Sequence, residues 1–547
     1  MEGQLNYTYI CLIPKEDDAC SVDKFRPISL CNFAYKIISK IVATRLRAVI
    51  DKLVCPLQSA FVPGRWIAES SILTQELIHT IKRKKGKGGL MAIKLDMLKA
   101  YDRLEWNFLR EVLRGSDFDD QVCALIMECV TTVSYSVLLN GVPQKKFFPK
   151  RGLRQGDPLS TFLLLMCHNI LSKLLLREQV EGISISRNAP AISHLMFADD
   201  TILFTRANMN IVSSILQCIS KYESWSGQKC SLAKSSVLFS GNMGGSQKSN
   251  ILKYLNVKEC SGQERHLGNP FVFKRRKREE YKYLKEKVLK RIEGCKTKLL
   301  SFAGRTTLVK SVALSIPLYA MSTNKIPVST CREIDSIIRR FWWIGGSEKE
   351  RFMALISWDC LCRPLLVGGL GFRKIEDMNK ALLAKLAWQL AANVYRPWVK
   401  CLAAKYCRTN SIWSAETKNN DSALWKGILS SRDILYKGGM SIARRGDLID
   451  IWRQPWILWL EYREFREIMD QARLRYPQPK SIADVSNDDG SWNAALIHDI
   501  FGGSLGDRIC KIARMPLGNN DMLVWKEAGD SRPFMRQGLT RTTAYGS

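Results

Sequence analysis

A mixed α/β fold, of the α+β kind, is what the sequence predicts, and three observations predict it. Residues 32–53 and 70–85 place apolar side chains at helical spacing. Residues 89–96 and 194–204 are short apolar runs of strand length. Asn140-Gly141 stands between two strand-like segments, the strongest short-range signal of a two-residue hairpin turn. With 547 residues, 46% of them hydrophobic, the chain has apolar surface enough for more than one core.

The elements follow in order. "NFAYKIISKIVATRLRAVIDKL" (32–53) and "SSILTQELIHTIKRKK" (70–85) read as helices. "GLMAIKLD" (89–96) reads as a strand delivering Asp96 at its C-terminal tip, and Leu104, Phe108 and Val112, four apart, open a further helix. "SYSVLLNGVPQKKFF" (134–148) is the hairpin. "QGDPLSTFLLLMCHNIL" (155–171) starts a helix with Asp157 as N-cap and Pro158 in its first turn, where a cluster of backbone amides suits an anion. The apolar stretch 161–176 is broken by His168, Asn169 and Lys173, so it is expected to be a buried helix rather than a bilayer span. In "HLMFADDTILF" (194–204), two short strands meet at Ala198-Asp199-Asp200. "SFAGRTTLVKSVALSIPLYAMS" (301–322) sets Leu308, Val312 and Ile316 on one helical face, closed by Pro317.

Charge narrows the function. Lys and Arg number 83 against 52 Asp and Glu, a net +31, which suits a polyanionic partner, phosphate backbones first among them. Seventeen scattered cysteines, five histidines and no C-x-x-C pair exclude a disulfide framework and a zinc finger, and predict reduced thiols. No basic, apolar leader opens the chain, so neither secretion nor a membrane partner is expected.

Asp199 and Asp200 stand side by side in an apolar run, and a buried carboxylate costs several kcal/mol unless it is paired. A solvated turn is the plain explanation of a lone Asp-Asp pair. The alternative is a metal. Neighbouring strands of one antiparallel sheet would bring Asp96 beside Asp199, and carboxylates converging in this way suit two Mg²⁺ ions about 3.5–4 Å apart.

Five ordered blocks decide between them. "LIPK" with "FRPISLCNFAYKIISKIVATRL", "QSAFVPGRWIAESSILTQELIH", "IKLDMLKAYDRLEW", "RGLRQGDPLS" and "FADD" resemble, in order and spacing, the reverse transcriptases of non-LTR (LINE-like) retrotransposons. The resemblance implies a right-hand polymerase with an antiparallel-sheet palm, helical fingers and thumb, and a mostly helical C-terminal region. It implies an RNA-directed DNA polymerase that extends a primer 3′-OH with dNTPs, with two Mg²⁺ as cofactor and Mn²⁺ as substitute. Its partners would be an RNA template and a DNA primer or nicked target DNA.

By the same resemblance Asp96 and Asp199 are the metal ligands and Asp200 the third catalytic carboxylate. Tyr101 matches the bulky residue beneath the incoming sugar, where a ring clashes with a ribose 2′-OH; a core aromatic is the bland alternative. Asp102 reads as structural. Gln155 and Gly156 match residues beside the nucleotide, Lys15 and Arg26 match basic residues that hold its triphosphate, and Lys234 is a candidate proton donor to pyrophosphate, although Ser231 stands where the family usually has Asn. "HLGNP" (266–270) resembles the primer grip, with Leu267 and Gly268 at its tip. The following run 274–298 holds 12 basic and four acidic residues and suits phosphates, a nuclear-import patch or a solvated helix face.

The expected division is fingers and palm over 1–265, primer grip and thumb over 266–340, and an incomplete post-thumb region over 341–547. Against the family pattern, an upstream endonuclease and part of the fingers are expected to be missing, as is a downstream Cys/His block. A second expectation from another class is therefore a decayed fragment that only binds nucleic acid. The resemblance places the chain in nucleus and cytoplasm; it leaves template choice and oligomeric state undefined.

Overall fold

Turn chemistry and strand alternation assemble two larger sheets and a two-stranded hairpin in the first part of the chain. The computed structural model describes residues 5–16, 18–262, 264–271, 277–293, 300–345, 352–408, 411–514 and 521–526. Its backbone divides into two units, Met1–Val272 and Phe273–Ser547.

In chain order the first unit runs β1 (Tyr7–Pro14), β2 (Phe25–Cys31), α1 (Phe33–Leu53), α2 (Ile67–Arg83), β3 (Leu90–Leu95), α3 (Ala100–Arg103), α4 (Trp106–Arg114), α5 (Asp120–Thr131), β4 (Ser134–Leu139) and β5 (Val142–Pro143). It continues with α6 (Pro158–Arg177), β6 (His194–Phe197), β7 (Asp200–Arg206), α7 (Met209–Ser226), β8 (Ser236–Phe239), α8 (Gly245–Leu255), β9 (Lys258–Glu259), β10 (Arg265–His266) and β11 (Asn269–Pro270).

The first sheet has the order β2-β1-β4-β5. β1 is antiparallel to β2 and parallel to β4. Asn140 and Gly141, at φ of 50° and 81°, form the turn into β5 that their sequence predicts. β5 is only two residues long, and its Pro143 has no amide to extend the ladder.

The second sheet has the order β6-β7-β3-β8-β9. Four strands are antiparallel, as expected, and the short β9 adds a parallel edge. β3 is central, and its alternation buries Met91, Ile93 and Leu95 in the core.

Behind this sheet lies α6, which packs against α1, α4 and α7. By length and hydropathy α6 could cross a membrane, yet most of it is buried within the unit, as the sequence suggests. Leu159, Leu163, Leu165 and Leu171 are wholly buried, each contributing about 1.5–3 kcal/mol.

The second unit is mostly helical. Helices Lys282–Glu293, Val328–Ile344 and Ile375–Ala391 share a core that includes Val288, Ile334, Phe341 and Phe372. The basic run contributes helix Lys282–Glu293, whose apolar face buries Leu284, Val288 and Ile292; residues 274–276 and 294–298 of that run lie outside the described residues.

The stretch 301–322 departs from its sequence reading. Helix Phe302–Leu308 runs into a π-helical turn, Val309–Ala313, and a new helix starts at Leu318 with Pro317 as its N-cap. The wider π turn rotates the buried face by one residue, so Val309 and Ala313, rather than Leu308 and Val312, are fully buried. Farther on, Gly439–Ile442 pairs antiparallel with Met522–Trp525.

Candidate active site

Three carboxylates gather at one end of the second sheet. Leu95 of β3 pairs with Thr201 of β7, so Asp96 and Asp200 are the next residues outward on neighbouring strands. Phe197 pairs with Asp200, which leaves Ala198 and Asp199 as a two-residue hairpin turn. Ala198 is left-handed, at φ 53°, in a place where glycine is usual.

Their charges interact. Burial and the Asp199 charge, with Asp96 adding to them, push the Asp200 carboxyl up to about 6, against the pull of Lys94. Burial raises Asp199 as well; Asp96 adds to this and Arg26 opposes it. Half-buried carboxylates that destabilise one another are a site in need of a cation.

The oxygen donors are those a hard divalent ion takes. Among the described residues no three His, Cys, Asp or Glu side chains close into a preformed metal cage. An open set of carboxylates is nevertheless what Mg²⁺ uses when substrate phosphates complete its shell, so the residues fit that ion.

The surroundings are tied to this point from several directions. Ser231 donates its amide to the Asp96 carbonyl (2.7 Å), and the Asp96 amide donates to Ser235 Oγ (3.3 Å). Lys234 lies between these two contacts in sequence and is exposed. Tyr101, on α3, is raised first by burial and also by Asp199, while a hydrogen bond with Thr161 holds its phenol, so its ring stands beside the carboxylates. Asp102 occupies the same short helix.

The segment 152–157 runs alongside. Leu153 donates to the Tyr101 carbonyl (2.7 Å), and the Gln155 carbonyl accepts from the Ser29 amide (2.8 Å). Gly156 has φ 110°, and a Cβ there would lie 3.3 Å from the Ser29 carbonyl, so glycine is required by conformation and by space.

Two buried charges flank Gln155 and Gly156. Arg154 stacks on the Tyr35 ring, 3.8 Å from its centroid, and donates to the Cys129 carbonyl and to Asn6. Asp157 occupies the N-cap position of α6, but its carboxylate caps no amide. It accepts from the hydroxyls of Ser39, Tyr35 and Ser160 instead. The expected capping bond is thus replaced by a cross-link from α6 to α1. The carboxylate also occupies the helix start that the sequence offers to an anion.

The basic candidates separate. Arg26 lies close enough to lower Asp199. Lys15 turns to the Asp23 carbonyl (2.8 Å), and Lys99 pairs with the Asp23 carboxylate at 2.8 Å. Leu267 and Gly268, at φ of 50° and 83°, form the turn between β10 and β11. That hairpin is anchored by Lys94 on the Arg265 carbonyl (2.7 Å) and by Asn269 on Ser71 Oγ (3.1 Å).

Sequence reading passed over Gln58, Arg154 and Thr161, all of which touch residues of this site. Gln58 is 1% exposed and bonds the Ala198 backbone. Its signal was a glutamine between two helices, which is indistinguishable from loop polarity until the fold buries it.

The chain is similar to several known proteins. Residues 13–284 match the family model described as reverse transcriptase (RNA-dependent DNA polymerase). A putative ribonuclease H protein of Arabidopsis thaliana is 34% identical over 192 residues, 34% of this chain and 31% of that one. The transposon TX1 uncharacterized 149 kDa protein of Xenopus laevis is 28% identical over 352 residues, 61% of this chain and 26% of that one. The retrovirus-related Pol polyprotein from type-1 retrotransposable element R2 of Nasonia vitripennis is 30% identical over 204 residues, 37% of this chain and 19% of that one. The chain therefore spans less than a third of the length of these relatives. Among solved structures, apo telomerase from Candida tropicalis aligns with a TM-score of 0.36 and 17% identity, over 62% of this chain and 57% of that one. Residues 13–284 thus match the reverse transcriptase family, and the TX1 and R2 relatives support a LINE-like reverse transcriptase.

Proposed function

We propose that the chain is an RNA-directed DNA polymerase that extends a primer 3′-OH with dNTPs on an RNA template. The observation that carries this reading is the grouping of Asp96, Asp199 and Asp200 at adjacent strand ends, where burial and neighbouring charge raise the Asp199 and Asp200 carboxyls. Asp96 and Asp199 hold the divalent ions and Asp200 adds the third charge. Bound there, Mg²⁺ supplies Lewis-acid stabilisation of the charge that builds as the 3′-OH attacks the α-phosphate and pyrophosphate leaves, and Mn²⁺ serves as its substitute.

The chain's own groups do the rest. Arg26 and Lys15 neutralise the triphosphate, Arg26 from beside Asp199. Gly156 lets the backbone approach the nucleotide closely, and Gln155 lies next to it. The Tyr101 ring, fixed through Thr161, closes the space a 2′-OH would need. Lys234 gives a proton to the departing pyrophosphate. Leu267 and Gly268 support the primer.

Under this reading residues 1–265 are fingers and palm, 266–340 primer grip and thumb, and 341–547 the post-thumb region. The net charge of +31 suits RNA and nicked DNA as partners, and passage through cytoplasm and nucleus follows from such substrates.

The test is dNTP incorporation on a primed RNA template with Mg²⁺, comparing the chain with Asp199→Asn. Incorporation lost in the variant supports the proposal. A folded chain that binds RNA, retains metal and incorporates nothing would instead identify a nucleic-acid-binding relic.

A further inference from the structure

The tip of the carboxylate hairpin is held by a side chain from another part of the fold. Gln58 lies between α1 and α2, and the backbone around it runs along the edge of β6. The Met196 amide donates to the Leu57 carbonyl and the Ser59 amide to the Met196 carbonyl, both at 3.0 Å. This fixes Gln58 opposite the turn.

Its carboxamide then makes three bonds. Oε1 accepts from the amides of Ala198 and Ala60, each at 3.0 Å, and Nε2 donates to the Ala198 carbonyl at 3.3 Å. Two converging amide donors can face only an oxygen, so the orientation of the carboxamide is settled by its surroundings.

Ala198 needs this support. A non-glycine residue in the left-handed region costs about 1–2 kcal/mol, and a buried peptide group without a partner costs more. Both backbone groups that Gln58 bonds belong to the residue just before Asp199. Rotation of either flanking peptide would swing the Asp199 carboxylate away from Asp96.

We propose that Gln58 is a positioning residue: by clasping the Ala198 backbone it holds Asp199 in the orientation that binds the divalent ion. The proposal rests on the reading of Asp199 as a metal ligand. It assigns to the loop before α2 a task in metal affinity rather than in folding alone.

The experiment is a Mn²⁺ titration of the full chain followed by electron paramagnetic resonance, with thermal melting of the same samples and dNTP incorporation in parallel. The variants are Gln58→Met, which keeps the volume and loses all three bonds, Gln58→Glu, which keeps the acceptor for both amides, and Asp199→Asn. Outer partners of metal ligands are typically worth about 10–100-fold in affinity. Gln58→Met is expected to weaken Mn²⁺ binding by about that factor and to lower kcat with the KM for primer–template unchanged, and Gln58→Glu to fall between it and the parent. If Gln58→Met does not fold, Gln58→Glu carries the comparison.

Loss of Mn²⁺ affinity in Asp199→Asn, with parental affinity in the folded Gln58 variants, overturns the proposal and leaves the polymerase reading standing, whatever happens to the melting temperature. Parental Mn²⁺ affinity in Asp199→Asn overturns the metal reading, and the task of Gln58 with it.

Discussion

The carboxylate hairpin and the hairpin at His266–Asn269 both turn in two residues, and they are secured by different means. In the first, the left-handed Ala198 is clasped at the tip by a buried side chain. In the second, Leu267 and Gly268 are both left-handed, a Cβ on Gly268 would meet nothing within 4 Å, and the anchors Asn269 and Lys94 act on the flanking strands. One hairpin is clasped at its tip by a buried side chain from a distant loop, and the other is tied at its base, with its own exposed Arg265 donating to the Gly268 carbonyl at 3.1 Å. Under the proposed function, the first arrangement suits a cation ligand and the second a support for a moving primer end.

The largest break in this comparison is at Asp199. Under the proposed function, loss of a metal ligand forfeits several kcal/mol of transition-state stabilisation, so Asp199→Asn is expected to lower incorporation by about 1,000-fold, while Leu267→Ala leaves the single-turnover rate within about tenfold. Rapid-quench kinetics with primed RNA reads both.

Tyr101 tests whether the fixed tip has a fixed neighbour. Tyr101→Ala is expected to reduce discrimination against ribonucleotides by about 100-fold, read as the ratio of kcat/KM for dNTP and NTP. Tyr101→Phe, which loses only the Thr161 bond, should keep most of it.

Each hairpin also has a buried histidine, one behind it and one within it. His168 bonds Thr201, next to Asp200, at 2.9 Å and is held down to about 4, chiefly by burial; His266 is in the second hairpin and is held down to about 3. Between these values and the ordinary 6.5 the unfolded chain binds more protons, so stability falls as pH drops from 6.5 toward 4, by roughly 1.4 kcal/mol per unit for each group. Melting curves at pH 7 and pH 5 should show the loss, and His168→Gln should reduce it.

The smallest effect is conformational. Leu267→Gly relieves a left-handed leucine and should stabilise by at most about 1 kcal/mol after the entropy cost of glycine, seen as a rise of a few degrees at most in melting temperature. Ala198→Gly should gain less, since Gln58 already offsets the strain.

Much of the site was legible because its residues carry local signals. Asp96 ends an apolar run, Asp199-Asp200 interrupts one, and Asn140-Gly141 turns as its chemistry requires. What was not legible depends on partners distant in sequence. Asp157 has every mark of an N-cap, but Ser39 and Tyr35, on another helix, take its oxygens. Gln58 is polar, and only the strand beside it reveals that it is buried. Near Val309 the helical period was right in kind and one residue out of phase, because a π turn leaves no mark in the hydrophobic pattern.

The central helix α6 has a consequence for anyone expressing pieces of this chain. Its leucine-rich surface is covered by α1, which precedes it, and by α7, which follows. During synthesis α7 is made last, so the apolar face of α6 that α7 covers stays exposed until Ser226 has emerged. Fragments that stop after the Asp199-Asp200 pair but before Ser226 carry every carboxylate and still lack the cover, and should aggregate or recruit chaperones. Cutting at the unit boundary, after Val272, keeps that helix enclosed.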